Sequence, residues 1–460
     1  MTDKSAHQTT NLSWKTMLVF LIPLMLSNFL QSISATISSI LLGQFIGVQA
    51  LAAVSVFFPV LFLMISFLIG IANASTVLIG QAYGARDDKQ LKAVVGTSLF
   101  FSFLLGLALF GIGLGFGRSM FELIGTPADI FEMTLGYATI MFAGLPILFP
   151  YIMYTTFMRG TGDSKTPFYF LIISTGLTVT LTPWFVLGGS GIPSLGINGA
   201  ALAFIIADAV TLVLLLFYLE RQKHPLRLDK ETMRNMKLNP TILKLLFKIG
   251  IPTGIQMIMV SLSSIALVSL VNRYGSSAAA AFGAANQIIS YVQMPAISIG
   301  MTVSIFGAHA IGAGLIHRLQ AILLTGIKLN LAVSGILIVV VYVSAHMLLS
   351  LFITDAGTLS IAQHLLMLTL WSYLLFGLMH TITGIMRASG DVFWPTLLTV
   401  TNIWVIQVPV AYWLSQHSPL ELEGIWLSFP IAFTVGLLLQ TGYYVFFWKN
   451  KEKVRLIQSS

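Results

Sequence analysis

The sequence predicts an all-α, polytopic membrane protein: twelve transmembrane helices in two pseudo-symmetric six-helix bundles. Three observations carry that reading. Of 460 residues, 56% are hydrophobic and only 9% charged, whereas an ordinary soluble domain carries about 25% charged residues. Apolar runs recur along the whole length, for example over 17–32, 99–116 and 331–351, each long enough to cross most or all of a hydrocarbon core. A set of short motifs in the first half also returns in the second at a nearly constant spacing.

The elements follow in order. Segment 1–14 is polar, and the apolar stretch after it is too long for a cleaved signal peptide, so that stretch is read as the first span. Apolar length, Gly and Pro breaks and charged connections place six helices over 15–42, 50–81, 92–117, 132–158, 166–188 and 196–219, the bundle 15–219. A cytoplasmic linker is predicted over 220–240; the stretch 220–248 carries eight Lys or Arg and three acids and reads as a solvated loop that sets orientation. Six more helices follow over 241–272, 278–308, 320–352, 362–387, 394–415 and 423–448, the bundle 241–448, and then a cytoplasmic tail over 449–460.

Charge placement tests this assignment. With a cytoplasmic N-terminus, the inside segments hold 22 of the 24 Lys and Arg, and only Arg118 and Arg273 fall outside. A wrong helix count would scramble that parity, so the asymmetry supports both the count and a multi-pass orientation with both termini cytoplasmic, as in a bacterial-type inner membrane. The net charge of +8 is explained by the same pattern, and no basic stretch interleaved with aromatics points to nucleic acid. The expected surroundings are the lipid bilayer, and the expected state is a monomer. Cysteine is absent, which excludes disulfides, thiolate metal sites and cysteine nucleophiles.

The repeat is the most informative feature. Met158-Arg159-x-x-Gly162-Asp163-x-x-x-Pro167 returns as Met386-Arg387-x-x-Gly390-Asp391-x-x-x-Pro395, an offset of 228. The same offset relates Gly47 to Gly275, Gly84-Ala85 to Gly312-Ala313 and Gly196-Ile197 to Gly424-Ile425, while Ile22-Pro23 and Ile251-Pro252 match at 229. An even number of helices per half gives both copies the same orientation, the parallel-repeat arrangement of transporters in which two bundles alternately open a central cleft. Arg159 and Arg387 are expected at the cytoplasmic ends of the fourth and tenth helices, capping them and approaching Asp163 and Asp391, in a structural or cytoplasmic-gate role.

Enzyme chemistry finds no foothold. There is no phosphate-binding loop and no His-Glu-x-x-His, and the glycine run 111–117 lies inside an apolar helix with no preceding strand. No catalytic residue, metal ligand or cofactor is assigned. The one acid at membrane depth is Asp208; desolvation penalises its charge, which suits it to exchange a proton or hold a cation, and its plainer reading is a buried structural carboxyl bonded to a neighbouring helix. Uncharged polar residues within spans form the candidate cleft: Asn28, Gln31, Ser38, Asn73, Thr178, Thr182, Gln256, Asn286, Gln287, Asn402 and Gln407. Each has an interhelical hydrogen bond as its plainer reading. His346 and His380 are the remaining titratable groups in spans, read as buried hydrogen-bonded histidines or a proton relay.

These residues resemble a known family. Ile22-Pro23 through Gly43, Gly47-x-x-Ala50-Leu51-Ala52-Ala53-Val54, Gly80-Gln81-Ala82-Tyr83-Gly84-Ala85, the two Met-Arg-x-x-Gly-Asp elements and the stretch from Trp404 to Pro409 are similar to the multidrug and toxic compound extrusion (MATE) family, from about residue 15 to 448. The resemblance implies a V-shaped pair of six-helix bundles and a secondary-active antiporter that exports small amphipathic compounds in exchange for H⁺ or Na⁺. The family's first-helix acid falls on Ser38, its Asn and Asp of the fifth helix on Thr178 and Thr182, and its seventh-helix Glu near Val260 or Ser261. With no acid at these places, Asp208 is the expected coupling residue. Two other functions stand against this reading: a lipid-linked precursor flippase, which calls for basic residues in the cleft, and an intramembrane enzyme.

Overall fold

The computed structural model describes residues 14–189, 191 and 193–457. The predicted segment 1–14 lies outside these except for Trp14, as do residues 458–460 of the predicted tail. Twelve helices long and apolar enough to cross a membrane occur among the described residues: α1 (Trp14–Phe45), α2 (Val48–Gly84), α3 (Asp88–Ile124), α4 (Phe131–Gly160), α5 (Lys165–Leu187), α6 (Ile197–Arg221), α7 (Pro240–Asn272), α8 (Ser276–Gly312), α9 (Ile316–Ser350), α10 (Ala356–Ala388), α11 (Phe393–His417) and α12 (Leu422–Trp448). Several outrun the apolar stretches that announced them. The predicted 92–117 becomes α3, started by Asp87, whose carboxylate accepts the Gln90 N–H, and stopped by Gly125 in the left-handed conformation. In α3, local capping, rather than the hydrocarbon thickness, sets the ends.

The chain divides into two compact units, taken here separately. The N unit is Leu26–Ile251; the C unit is Pro252–Leu456 together with α1 up to Met25. The divisions fall inside α1 and α7, beside Pro23 and Pro252. A proline inside a helix removes one backbone hydrogen bond and bends the rod, so the two ends of one helix can serve different cores.

In the C unit, Met17, Phe20, Leu21 and Leu24 of α1 are buried against Ile299, Val303 and Phe306 of α8 and Ile322 of α9. Phe20 meets Phe306 edge-on with ring centroids 5.7 Å apart. A second core joins α8, α9 and α10 to Trp426 of α12, which stacks on Phe282 at 5.4 Å. In the N unit, Leu42, Ala50 and Ala53 pack with Val186, Ile197 and Ala200. Large apolar side chains also face outwards, Val343 at 85% exposure and Phe116 at 68%; in water such a surface would aggregate, and in a bilayer it is the ordinary lipid face.

Two local features position the site. Gly162 and Gly390 take left-handed φ angles of +87° and +79° at the same place of the repeat, and only glycine adopts these cheaply. The Met-Arg-x-x-Gly-Asp motif is thus a shared turn that reverses the chain from α4 into α5 and from α10 into α11. The predicted linker is not freely solvated throughout. Residues Lys230–Arg234 form a short helix capped by Asp229, and Lys92 of α3 reaches Asp229 at 2.6 Å and Glu231 at 2.9 Å. Gly96 of α3 leaves room for the Asn235 backbone, which a side chain there would strike.

Candidate functional site

In the N unit, α5 and α6 set Ser174 against Asp208. Ser174 Oγ donates to Asp208 Oδ1 at 2.6 Å, and Asp208 is 4% exposed. The crevice around the carboxylate is walled by Met141, Gly144, Ile147 and Leu148 of α4 and by Phe204 and Ile205 of α6, with no space for a water molecule. Tyr151 of α4 is buried, and its hydroxyl has no hydrogen-bond partner among the described residues. Apolar walls and one hydroxyl donor suit a carboxyl that gains and loses a proton, and they supply too few oxygen ligands for a bare cation.

The expected approach of each arginine to the aspartate of its own motif is not realised: among the described residues, neither arginine forms an ion pair. Asp163 accepts the backbone N–H groups of Lys165 and Thr166 and the Thr166 hydroxyl, at 3.0, 3.0 and 2.6 Å. It caps α5, which is the stronger use for a short acid two residues ahead of the first helical residue, Lys165. Asp391 instead accepts from Lys451 Nζ at 2.7 Å and from the Tyr443 hydroxyl at 2.8 Å. Burial works against the charge of Lys451, and Asp391 and Tyr443 outweigh it, raising the Lys451 pKa above the ordinary lysine value.

The C unit holds a cavity lined by Gln256 of α7, by Met379, His380, Thr383 and Arg387 of α10, by Asp391 and Val392 of the turn, and by Pro395, Thr396 and Thr399 of α11. Its free volume of about 20 Å³ suits one water or a small head group. The Thr396 hydroxyl donates to Gln256 Oε1 at 3.4 Å, and His380 is anchored through Nδ1 to the Phe376 carbonyl at 3.0 Å. His380 therefore does have the hydrogen bond expected of it, whereas His346 is exposed.

The remaining sequence candidates divide into those brought into packed polar contacts and those left on surfaces. Asn402 is buried and donates from Nδ2 to the Ala432 carbonyl at 2.9 Å, while its Oδ1 has no hydrogen-bond partner among the described residues. Gln407 is buried as well, and both residues belong to the π-helical turn Asn402–Gln407 in α11. Pro409, without an N–H, leaves a carbonyl one turn back unserved, which fits the widened turn. Thr178 and Thr182 are buried but donate to carbonyls of their own helix, Ser174 and Thr178, at 2.9 and 2.7 Å. Asn28, Ser38, Asn73 and Asn286 are half-buried, and Gln31 and Gln287 are exposed.

Sequence reasoning passes over Ser174, Thr396 and Gln440. Gln440 is buried and donates to the Pro395 carbonyl at 2.8 Å and the Thr399 hydroxyl at 3.1 Å; its signal was a lone amide in an apolar span. Ser174 carries no such signal, because a serine in a span commonly bonds to its own helix. No group of three or more His, Asp or Glu among the described residues stands close enough to hold a metal ion.

A family model described as MatE matches residues 23–184 and 252–413, one stretch in each half. The chain belongs to the MatE family. The probable multidrug resistance protein YoeA of Bacillus subtilis (strain 168) is 51% identical over 445 residues, 97% of this chain and 96% of that protein. The multidrug export protein MepA of Staphylococcus haemolyticus (strain JCSC1435) is 23% identical over 97% of this chain and 96% of its own length. Among solved structures, MATE in the bent conformation matches with a TM-score of 0.87 at 22% identity, over 95% of this chain and 96% of that one. The outward-facing conformation of a multidrug resistance MATE family transporter matches with a TM-score of 0.84 at 22% identity, over 93% and 94%. At that identity the likeness concerns the fold. The all-α, twelve-span membrane architecture and the family expected from the sequence are thereby established. Arg387 lies within a MatE-matched stretch and Asp208 beyond both.

Proposed function

We propose that this MatE member is a secondary-active antiporter that exports small amphipathic organic compounds by alternating access, with protons entering through Asp208. The observation that carries the proposal is the Asp208 carboxylate itself, buried in a span, hydrogen-bonded to Ser174 at 2.6 Å and otherwise walled by apolar side chains. Such a group is costly to keep charged in a membrane interior and has no structural partner of opposite charge within ion-pair distance among the described residues, the usual signature of a proton-handling site. Export of varied compounds is supported by the names of the relatives, a probable multidrug resistance protein and a multidrug export protein. The proposal includes a bacterial inner-membrane location with both termini cytoplasmic, supported by 22 of 24 basic residues falling on one side of the assigned spans, and a monomeric working unit.

The test is efflux from liposomes containing the purified chain, using the cationic dye ethidium and the anionic dye fluorescein under imposed pH or Na⁺ gradients. A pH gradient is expected to drive export, a Na⁺ gradient alone is not, and Asp208→Asn is expected to reduce proton-driven export to the leak of empty liposomes. Undiminished proton-driven export by Asp208→Asn removes Asp208 from the mechanism, and no response to either gradient removes antiport.

A further inference from the structure

The C-unit cavity contains a charge that its surroundings leave uncommitted. Arg387 is half-buried in the wall, and a guanidinium keeps its proton under all physiological conditions. The acid nearest in sequence, Asp391, lines the same cavity, yet its carboxylate is engaged by Lys451 at 2.7 Å and Tyr443 at 2.8 Å. Lysine and aspartate cancel locally, so the cavity retains the positive charge of Arg387. The side-chain N–H groups of Gln256 are likewise uncommitted among the described residues, since its one hydrogen bond there uses the oxygen, which accepts from Thr396. Thr383 and Thr399 offer no donor, because their hydroxyls bond to the His380 and Pro395 carbonyls at 3.0 and 2.9 Å. Met379, Val392 and Pro395 complete the wall with apolar surface.

From this arrangement we infer that the C unit carries an anion-recognition subsite, in which Arg387 and the Gln256 amide receive a carboxylate-sized group against the apolar wall of Met379, Val392 and Pro395. A guanidinium presents paired N–H donors that match two carboxylate oxygens, and the small free volume admits the head group while the body stays outside. The inference deepens the export proposal and rests on it for its biological meaning: the exporter would accept amphipathic compounds bearing an acid group, not cations alone. The plainer role of Arg387, offsetting the carbonyl dipoles at the end of α10, requires no ligand; the two roles predict different outcomes below.

The probe is benzoate, with benzamide as its neutral analogue of the same shape, titrated calorimetrically into the full chain in phosphatidylcholine nanodiscs. Benzoate is expected to bind about tenfold more tightly than benzamide, and Arg387→Gln is expected to abolish the preference. Arg387→Lys should keep part of it, because charge survives and the paired donors do not, and Gln256→Leu should weaken benzoate without affecting benzamide. The wild-type comparison needs no variant, so the inference remains testable even where Arg387→Gln does not fold. Equal binding of benzoate and benzamide, or a full preference surviving in a folded Arg387→Gln, overturns it. Weaker benzoate binding in phosphatidylglycerol nanodiscs supports the subsite with a lipid head group competing for it, whereas unchanged binding supports a soluble anion. No gradient enters these titrations, so failure of antiport and failure of the subsite are distinguishable.

Discussion

Asp208 and Gly436 occupy the same point of the 228-residue repeat, and around them the two halves of the molecule have parted company. The N unit buries a carboxylate there, held by Ser174, and carries Tyr151 and Arg159 on α4. At the repeat positions of those three residues, the C unit has Asn402, Met379 and Arg387. Asn402 turns its amide to the Ala432 carbonyl, Met379 lines the cavity, and Arg387 has no ion-pair partner among the described residues. A side chain at Gly436 would begin 2.9 Å from both Asn402 Nδ2 and Met379 Sδ, so the C unit has no room for the acid its twin carries. The aspartates of the shared motif diverge too, Asp163 capping a helix and Asp391 binding the tail lysine. A duplicated backbone thus carries a buried acid in one half and, among the described residues, an arginine without an ion-pair partner in the cavity of the other, which teaches that fold symmetry does not extend to charge.

The strongest way to break this comparison is to move the acid. Asp208→Gly combined with Gly436→Asp should leave gradient-driven dye efflux at background; restored efflux would show that the halves are interchangeable. Gly436→Ala alone should destabilise the protein by about 1–3 kcal/mol through overpacking against Asn402 and Met379, read as a lower thermal midpoint in detergent. Ser174→Ala should cost about 1–2 kcal/mol by stranding a buried carboxylate, and the same midpoint measured in Asp208→Asn/Ser174→Ala should show a smaller effect of the serine.

The smallest effect concerns the linker. Burial pushes the Asp229 carboxyl up, and the Lys92 ammonium with the Thr232 N–H and hydroxyl outweighs it, holding the group at about 2. A depressed folded pKa means that this contribution is complete above the ordinary aspartate value of about 4 and is lost as pH falls towards 2. Pepsin should therefore open the linker faster, relative to a reference peptide, at pH 2 than at pH 4. Lys92→Met should speed tryptic cleavage in the linker at pH 8 by up to about fivefold, the range of a partly exposed ion pair.

Much of the fold was legible because a bilayer imposes a simple rule: a span must be apolar and long enough, and basic residues must stay on one side. The linker helix was missed because Lys230–Arg234 is too short and polar to register; it is held by Asp229 and by Lys92, a residue more than a hundred positions away. The site was legible in part. Asp208 stood out as a lone acid in a span, while Thr178 and Thr182, equally polar by type, turn out to serve their own backbone. The mispaired motif arginines have the same origin. Asp391 lies four residues from Arg387 but pairs with Lys451, and sequence proximity gives no measure of which cation a folded tail delivers.

By itself the sequence determined the twelve spans, their orientation bias, the duplicated motif and the family, because each of these depends on composition or on a few neighbouring residues. The tertiary structure decided which polar groups are satisfied and which are not: Asp208 with Ser174, Asp391 with Lys451, and Arg387 with no ion-paired acid among the described residues. Pairing inside a low-dielectric interior is settled by groups that meet only after folding, so the charge left over in each half could be counted only once the helices were packed.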